Sequence, residues 1–149
     1  MRIAIAADEL LGVAAALRGA LERRGHEVSA HGALAPADAG ERSAWAWAAE
    51  AAAREVAAGR AAQAVVCCWT GTGASIAANK VPGVRAALCG DATAAGARRW
   101  NDANVLALSL RGCSEAELEE ILDAWFTTAA SAEPQDRENI AHLGDIEQA

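Results

Sequence analysis

The stretch VVCCWTGTGASIAANK, residues 65–80, changes character twice: an apolar run ends in two thiols, a Gly-x-Gly turn follows, and a helix-like tail closes it. A short apolar run rich in β-branched residues reads as a buried strand. Gly71 and Gly73 permit backbone conformations closed to other residues, so the chain can turn sharply from the strand into a helix. A strand feeding a helix through a tight turn is the repeating unit of a parallel α/β sheet.

The same alternation extends outward in both directions. RIAIA (2–6) reads as a first strand, after which Leu10, Leu11, Ala14, Leu17 and Leu21 recur at helical spacing until Gly25 supplies a stop. HEVSAHG (26–32) gives a second strand, a loop surrounds residues 36–40, and an Ala-rich helix spans about 43–58 before Gly59. AQAVVCC (62–68) is the third strand, followed by a helix that starts near Ala74 and stops before Pro82. VRAALC (84–89) is the fourth strand, Asp91 caps a helix through Arg99, and NVLALS (104–109) is the fifth strand. SEAELEEILDAWF (114–126) carries a capping box, Ser114 with Glu117 three positions on, and sets Leu118, Ile121, Leu122 and Trp125 on one face. From Thr127 the chain turns polar and reads as an irregular C-terminal tail, 127–149, suited to packing on a partner subunit.

Parallel strands need crossover connections, so the predicted fold is α/β: an open, doubly wound, Rossmann-like parallel sheet of about five strands with helices on both faces. Its 149 residues suffice for one domain spanning 1–149. With 53% hydrophobic and 22% charged residues and no apolar run near membrane-spanning length, a soluble globular protein is expected. Met1 and Arg2 lead directly into the first strand without a signal-like segment, which points to the cytoplasm. A net charge of −7 argues against nucleic-acid and anionic-membrane partners. Cys67, Cys68, Cys89 and Cys113 show no Cys-x-x-Cys spacing and stand apart from His26, His31 and His142, so neither a zinc site nor a disulfide framework is expected.

In such sheets ligands bind beyond the carboxyl ends of the strands, which singles out ADEL, CWTGTG and CGDA. The Gly-x-Gly turn is no P-loop, because Lys80 is neither preceded by Gly nor followed by Ser or Thr. It is no dinucleotide fingerprint either, because Ile76 occupies the place of the third Gly. Successive N–H groups beside a helix start still form a concave donor site for a phosphate or a developing oxyanion. Cys68, at the last strand position, lies beside those donors, where a thiol ionises more readily than a free one and can accept a proton. The alternative is plain packing, the role that alternation assigns to Cys67 on the opposite face.

CWTGTGASIAANKVPGVRAALCGD (68–91) followed by WNDANVLALSLR (100–111) resembles the type B ribose-5-phosphate isomerase and galactose-6-phosphate isomerase family. That family typically reads Cys-Gly-Thr-Gly-x-Gly-x-Ser-Ile-Ala-Ala-Asn-Lys, then His-Asn-Asp-x-Asn-Val-Leu, then Arg, and the similarity runs from Met1 to about Trp125. The resemblance implies the same fold and a cofactor-free, metal-free exchange of aldose and ketose phosphates through a cis-enediol. It also implies active sites between the subunits of a homodimer or dimer of dimers. Residue by residue, it makes Cys68 the general base and Asp8 a sugar contact after the first strand. Thr70, Gly71, Thr72, Gly73 and Ser75 belong to the loop that grips the substrate and stabilises the enediolate, with Thr70 counted as catalytic. Asn101 matches a substrate-binding Asn, and Arg111 an Arg that binds phosphate. Some members carry a Glu at the position of Ala74 in place of the Cys; alanine cannot serve here, which favours Cys68. Asn79 and Lys80 share the motif without a derived role beyond capping the helix.

The departures concern the substrate. Glu9 stands where the family usually has a substrate-holding His, and its carboxylate would repel a phosphate. Trp100 replaces the His that opens the furanose ring, and an indole N–H does not exchange protons at neutral pH. Arg137 is the one arginine beyond Arg111 to match the family's C-terminal basic cluster. Trp69 replaces the small residue after the Cys, and with Trp45, Trp47 and Trp100 it reads either as core and interface packing or as a narrower, more apolar pocket. A tetrose phosphate, which cannot close a five-membered ring, would not need the missing His. The competing expectations are an isomerase of unphosphorylated sugars and a non-catalytic partner subunit of a hetero-oligomer.

Overall fold

The computed structural model describes residues 1–91 and 93–149. Five strands, β1 (Arg2–Ala7), β2 (Glu27–Gly32), β3 (Gln63–Cys68), β4 (Ala86–Leu88) and β5 (Val105–Ser109), form one sheet in the order β2-β1-β3-β5-β4. Every pairing is parallel, with Ala7 opposite Cys67, and Cys68 opposite Ser109. Six helices complete the described chain: α1 (Val13–Arg23), α2 (Trp45–Ala57), α3 (Thr72–Ala78), α4 (Thr93–Asn101), α5 (Glu115–Thr127) and α6 (Pro134–Gln148).

Right-handed crossovers decide which helix covers which face. The chain steps one way from β1 to β2 and from β4 to β5, and the other way from β2 to β3 and from β3 to β4. Accordingly α1, α4 and α5 share one face and α2 and α3 the other. Strand alternation divides the side chains to match. Ile3, Ile5, Val65, Cys67, Leu106 and Leu108 pack with Leu17, Leu118, Ile121 and Trp125. Ala4, Ala6, Val66, Cys68 and Ala107 pack with Ala48, Ala49, Ala52, Ala53, Ala74 and Ala78. Burial on both faces explains why each strand reads as a nearly continuous apolar run.

The capping box of α5 is present as expected: Ser114 Oγ accepts the Glu117 N–H at 3.2 Å, and the Ser114 N–H donates to Glu117 Oε2 at 2.7 Å. Asp91 Oδ1 accepts the Thr93 N–H at 2.9 Å ahead of α4, while Ala92, inside the helix expected from Asp91 to Arg99, lies outside the described residues. Two expectations need correction. The helix after the Gly-x-Gly turn begins at Thr72, with Gly71 as its N-cap, rather than near Ala74. The C-terminal segment is not irregular, since residues 134–148 form α6 with Pro134 in its first turn, where a missing N–H leaves no bond unmade. Its apolar residues Ile140, Leu143 and Ile146 leave no side chain buried, so the periodicity that marks a core-facing helix is faint. Among the described residues no helix is long and apolar enough to cross a membrane.

Candidate active site

β3 is the central strand, and its carboxyl end delivers Cys68 between the ends of β1 and β5. The Cys68 thiol is 5% exposed and faces the α2/α3 side. The Ala74 N–H points at its sulfur, 3.4 Å from Sγ. Adjacent Cys67 points the other way, into the α1/α5 core, where burial drives its thiol well above the ordinary range. One neighbour is therefore packing, and the other meets a backbone donor at the mouth of a turn.

The turn is held from several directions. Cys68 O accepts the N–H groups of Gly71 (3.2 Å) and Leu110 (2.9 Å), and Trp69 O accepts the Arg111 N–H (3.0 Å) and the Ser109 hydroxyl (2.9 Å). These bonds lock the β3 turn to the β5 turn. Gly71 has φ +79°, and a Cβ there would lie 2.5 Å from Leu88 Cδ1 and 2.9 Å from the Leu108 carbonyl carbon, so both backbone and space demand glycine. Gly73 is different: it sits inside α3 without positive φ, and a Cβ would stand 2.9 Å from the Trp45 ring. Room for the indole, rather than the backbone freedom expected for both glycines, explains it. Thr70 Oγ1 accepts the Thr72 N–H at 3.4 Å, and Ser75 N–H closes onto Gly71 O at 3.0 Å.

Asp8 follows directly on β1, beside this turn, and its Oδ1 is buried without a hydrogen-bond partner. A buried acceptor left unpaired inside the protein is one that a ligand hydroxyl could satisfy. Glu9 and Arg111 are exposed, and the Arg111 guanidinium carbon lies 6.0 Å from the Trp69 ring centroid. Among the described residues no carboxylate forms an ion pair with Arg111.

Trp45, Trp47, Trp69 and Trp100 are 45–57% exposed, so none of them is core; that role belongs to Trp125, which is fully buried and donates its indole N–H to Gln63 Oε1 at 2.8 Å. Trp69 and Trp45 stand at the Cys68 turn. Trp100 and Asn101 end α4 instead, beside a hollow of about 290 Å³ shared with Leu88, Cys89 and Thr93. Arg137 lines another hollow with Asp102, Ser131 and Ile140. Asp8, Glu9, Arg111 and the 68–75 turn thus follow the carboxyl ends of β1, β5 and β3, Trp100 and Asn101 end α4 beside a hollow also lined by Leu88, the neighbour of Gly71, and Arg137 lies on α6.

Asn79 is the C-cap of α3, as the sequence allowed, and two motif asparagines have further structural roles that sequence reading missed. The Asn79 amide exchanges two bonds with the Ala86 backbone (2.8 and 2.9 Å), acting as a surrogate strand partner for β4. Asn104 Oδ1 accepts the Arg85 N–H at 2.7 Å and its Nδ2 donates to Gly83 O at 3.0 Å. Between them Asp102, at φ +43°, bridges Arg85 and Arg98. The amide spacing alone carries the signal, because Asn side chains can mimic a backbone edge.

The chain as a whole is similar to known proteins. A family model described as Ribose/Galactose Isomerase matches residues 3–143. A type B ribose 5-phosphate isomerase structure from Trypanosoma brucei superposes with a TM-score of 0.87 at 35% identity, covering 98% of each chain. Ribose-5-phosphate isomerase B of Escherichia coli is 42% identical over 71 residues, 47% of this chain and 48% of its own. D-erythrulose-4-phosphate isomerase of Pectobacterium atrosepticum is 43% identical over 68 residues, 45% of each. The matched stretches span about half the length of these two curated relatives. With its sheet order, its Cys68 turn and a family match across nearly its whole length, the chain belongs to the Ribose/Galactose Isomerase family.

Proposed function

We propose that the chain is a cofactor-free aldose–ketose isomerase of a sugar phosphate, of the ribose 5-phosphate/ribulose 5-phosphate type, with Cys68 as general base. The observation that carries this reading is one thiol at the end of the central strand, with the Ala74 N–H aimed at its sulfur beside a glycine-built turn. The Cys68 thiolate takes the C2 proton of the open-chain aldose, and the resulting charge develops on O1. Backbone N–H groups of the turn stabilise that oxyanion. In this reading the Thr70 hydroxyl exchanges a proton between O1 and O2, and the sulfur returns its proton to C1 to give the ketose. Asp8 takes a sugar hydroxyl on its unpaired oxygen, with Glu9, Trp69, Thr72 and Ser75 around the substrate. Arg111 offers its fork of donors to the phosphate.

Trp100 and Asn101 belong to α4 and Arg137 to α6, elements other than those that carry Cys68 and its turn. A site assembled between two copies would unite these elements, so the active species in this reading is a homodimer or a dimer of dimers. The same arrangement would also suit a hetero-oligomeric partner subunit.

A second reading concerns the sugar. Trp45 and Trp69 crowd the turn, and an indole at position 100 cannot shuttle the proton that opens a furanose ring. Both features favour a four-carbon substrate, whose 4-phosphate leaves no hydroxyl to close such a ring. Turnover of a panel of four- to six-carbon aldoses and their phosphates tests both readings. The first expects isomerisation of ribose 5-phosphate, the second expects preference for a tetrose phosphate. Inactivity of the homo-oligomer on every sugar would overturn the isomerase reading in favour of a partner subunit.

A further inference from the structure

The connection between β2 and α2 is long, and across residues 36–44 one side chain ties it to the sheet among the described residues. Glu41 Oε2 accepts the Gly32 N–H at 3.0 Å, and Oε1 meets His31 Nδ1 at 3.1 Å. His31 Nε2 is buried without a partner, so Glu41 is the ring's hydrogen-bonding tie. Gly32 is also where α2 rests on the sheet: at φ +63°, a Cβ would lie 2.5 Å from Ala48 Cβ and 2.6 Å from Ala7 O. The start of α2 packs through Ala48 and carries the Arg42 guanidinium 3.6 Å from the Trp47 ring centroid, but it has no hydrogen-bonding cap of its own. Its N-cap is Ala44, no side chain caps it, and its first turn holds no acidic residue. Four residues beyond Glu41, Trp45 opens that helix and lays its ring on Gly73 of the Cys68 turn.

We infer that Glu41 is a positioning residue: gripping Gly32 and His31, it fixes the start of α2 so that Trp45 walls one side of the substrate turn and limits the length of sugar admitted. The inference rests on the isomerase reading of the Cys68 turn. Two side chains acting in series through one wall give non-additive effects, whereas independent sites add.

The test is a double-mutant cycle read as the ratio of kcat/KM for six-carbon over four-carbon sugar phosphates. Trp45→Ala is expected to raise that ratio by about tenfold, the scale of one or two methylenes in a pocket. Glu41→Ala should shift it in the same direction, Glu41→Gln should fall between because it keeps one acceptor for Gly32, and Glu41→Ala should add little on the Trp45→Ala background. Full additivity, or an equal loss for every sugar, would overturn the inference. Amide hydrogen exchange at Gly32 reads the latch without turnover: protection should fall in Glu41→Ala and persist in Trp45→Ala. Unchanged protection in Glu41→Ala overturns the latch whether or not the protein is active. Absence of turnover by the unaltered protein strikes the isomerase reading instead.

Discussion

The two faces of the sheet are built to different specifications. Toward α1, α4 and α5 the strands present Ile, Leu and Val against Leu118, Ile121, Leu122 and Trp125. Toward α2 and α3 they present Ala, Val and Cys68 against helices whose buried residues are all alanine. Large side chains bury more apolar area each, so the first face carries the greater share of stability. Small ones let helices approach closely, which brings the α3 turn onto Cys68 and Trp45 onto Gly73. One layer holds the fold, and the other sets the positions of Cys68 and Trp45.

The widest separation between the faces should come from a pair of substitutions. Trp125→Ala removes a fully buried indole and should lower unfolding free energy by about 3–5 kcal/mol, measured by urea denaturation, with KM little changed where the protein remains folded. Gly73→Ala should do the reverse, pushing the Trp45 ring aside and raising KM several-fold while costing about 1 kcal/mol or less, since Ala is the better helix former. Equal effects of both on stability and on KM would remove the distinction.

A smaller effect belongs to the thick face alone. Ser114→Ala deletes the cap of α5 and should cost about 1 kcal/mol with unaltered kinetics. Smaller still is the pH dependence of the same box. The Ser114 backbone N–H, then its side chain, holds the Glu117 carboxyl below its usual range. A group depressed on folding contributes fully above its unfolded value of about 4.3 and loses that contribution as pH falls through the folded value. Glu117→Gln should therefore be less stable than the unaltered protein at neutral pH, and the gap should close in thermal melts below about pH 4. A gap that widens on acidification would contradict the sign.

Much of the fold could be read ahead of the structure because its signals are local. Apolar runs such as RIAIA and AVVCC become strands buried on both faces, and the Ser114–Glu117 spacing becomes an actual capping box. α6 escaped because a helix that buries no residue leaves weak periodicity, and Gly144 interrupts it. Gly73 was assigned to backbone freedom because the ring it accommodates arrives from Trp45, distant in sequence. The asparagines of SIAANK and NDANV were visible as a motif, but their work in holding β4 depends on which strand lies across from them. The strand order, with β5 inserted between β3 and β4, likewise has no local mark. Asp8, Glu9 and Arg111 join the 68–75 turn because all follow the carboxyl ends of neighbouring strands, whereas Trp100, Asn101 and Arg137 lie on helices α4 and α6.

The most direct test of the central claim is proton NMR of a sugar phosphate turned over in D2O by the unaltered protein and by Cys68→Ala, with melting curves of both. The account predicts solvent deuterium at C1 or C2 with the unaltered protein, and at least about a 10³-fold slower exchange in a normally folded Cys68→Ala, the scale expected for loss of a general base. Exchange at an undiminished rate without the thiol, or turnover that carries no solvent deuterium into the sugar, would contradict it.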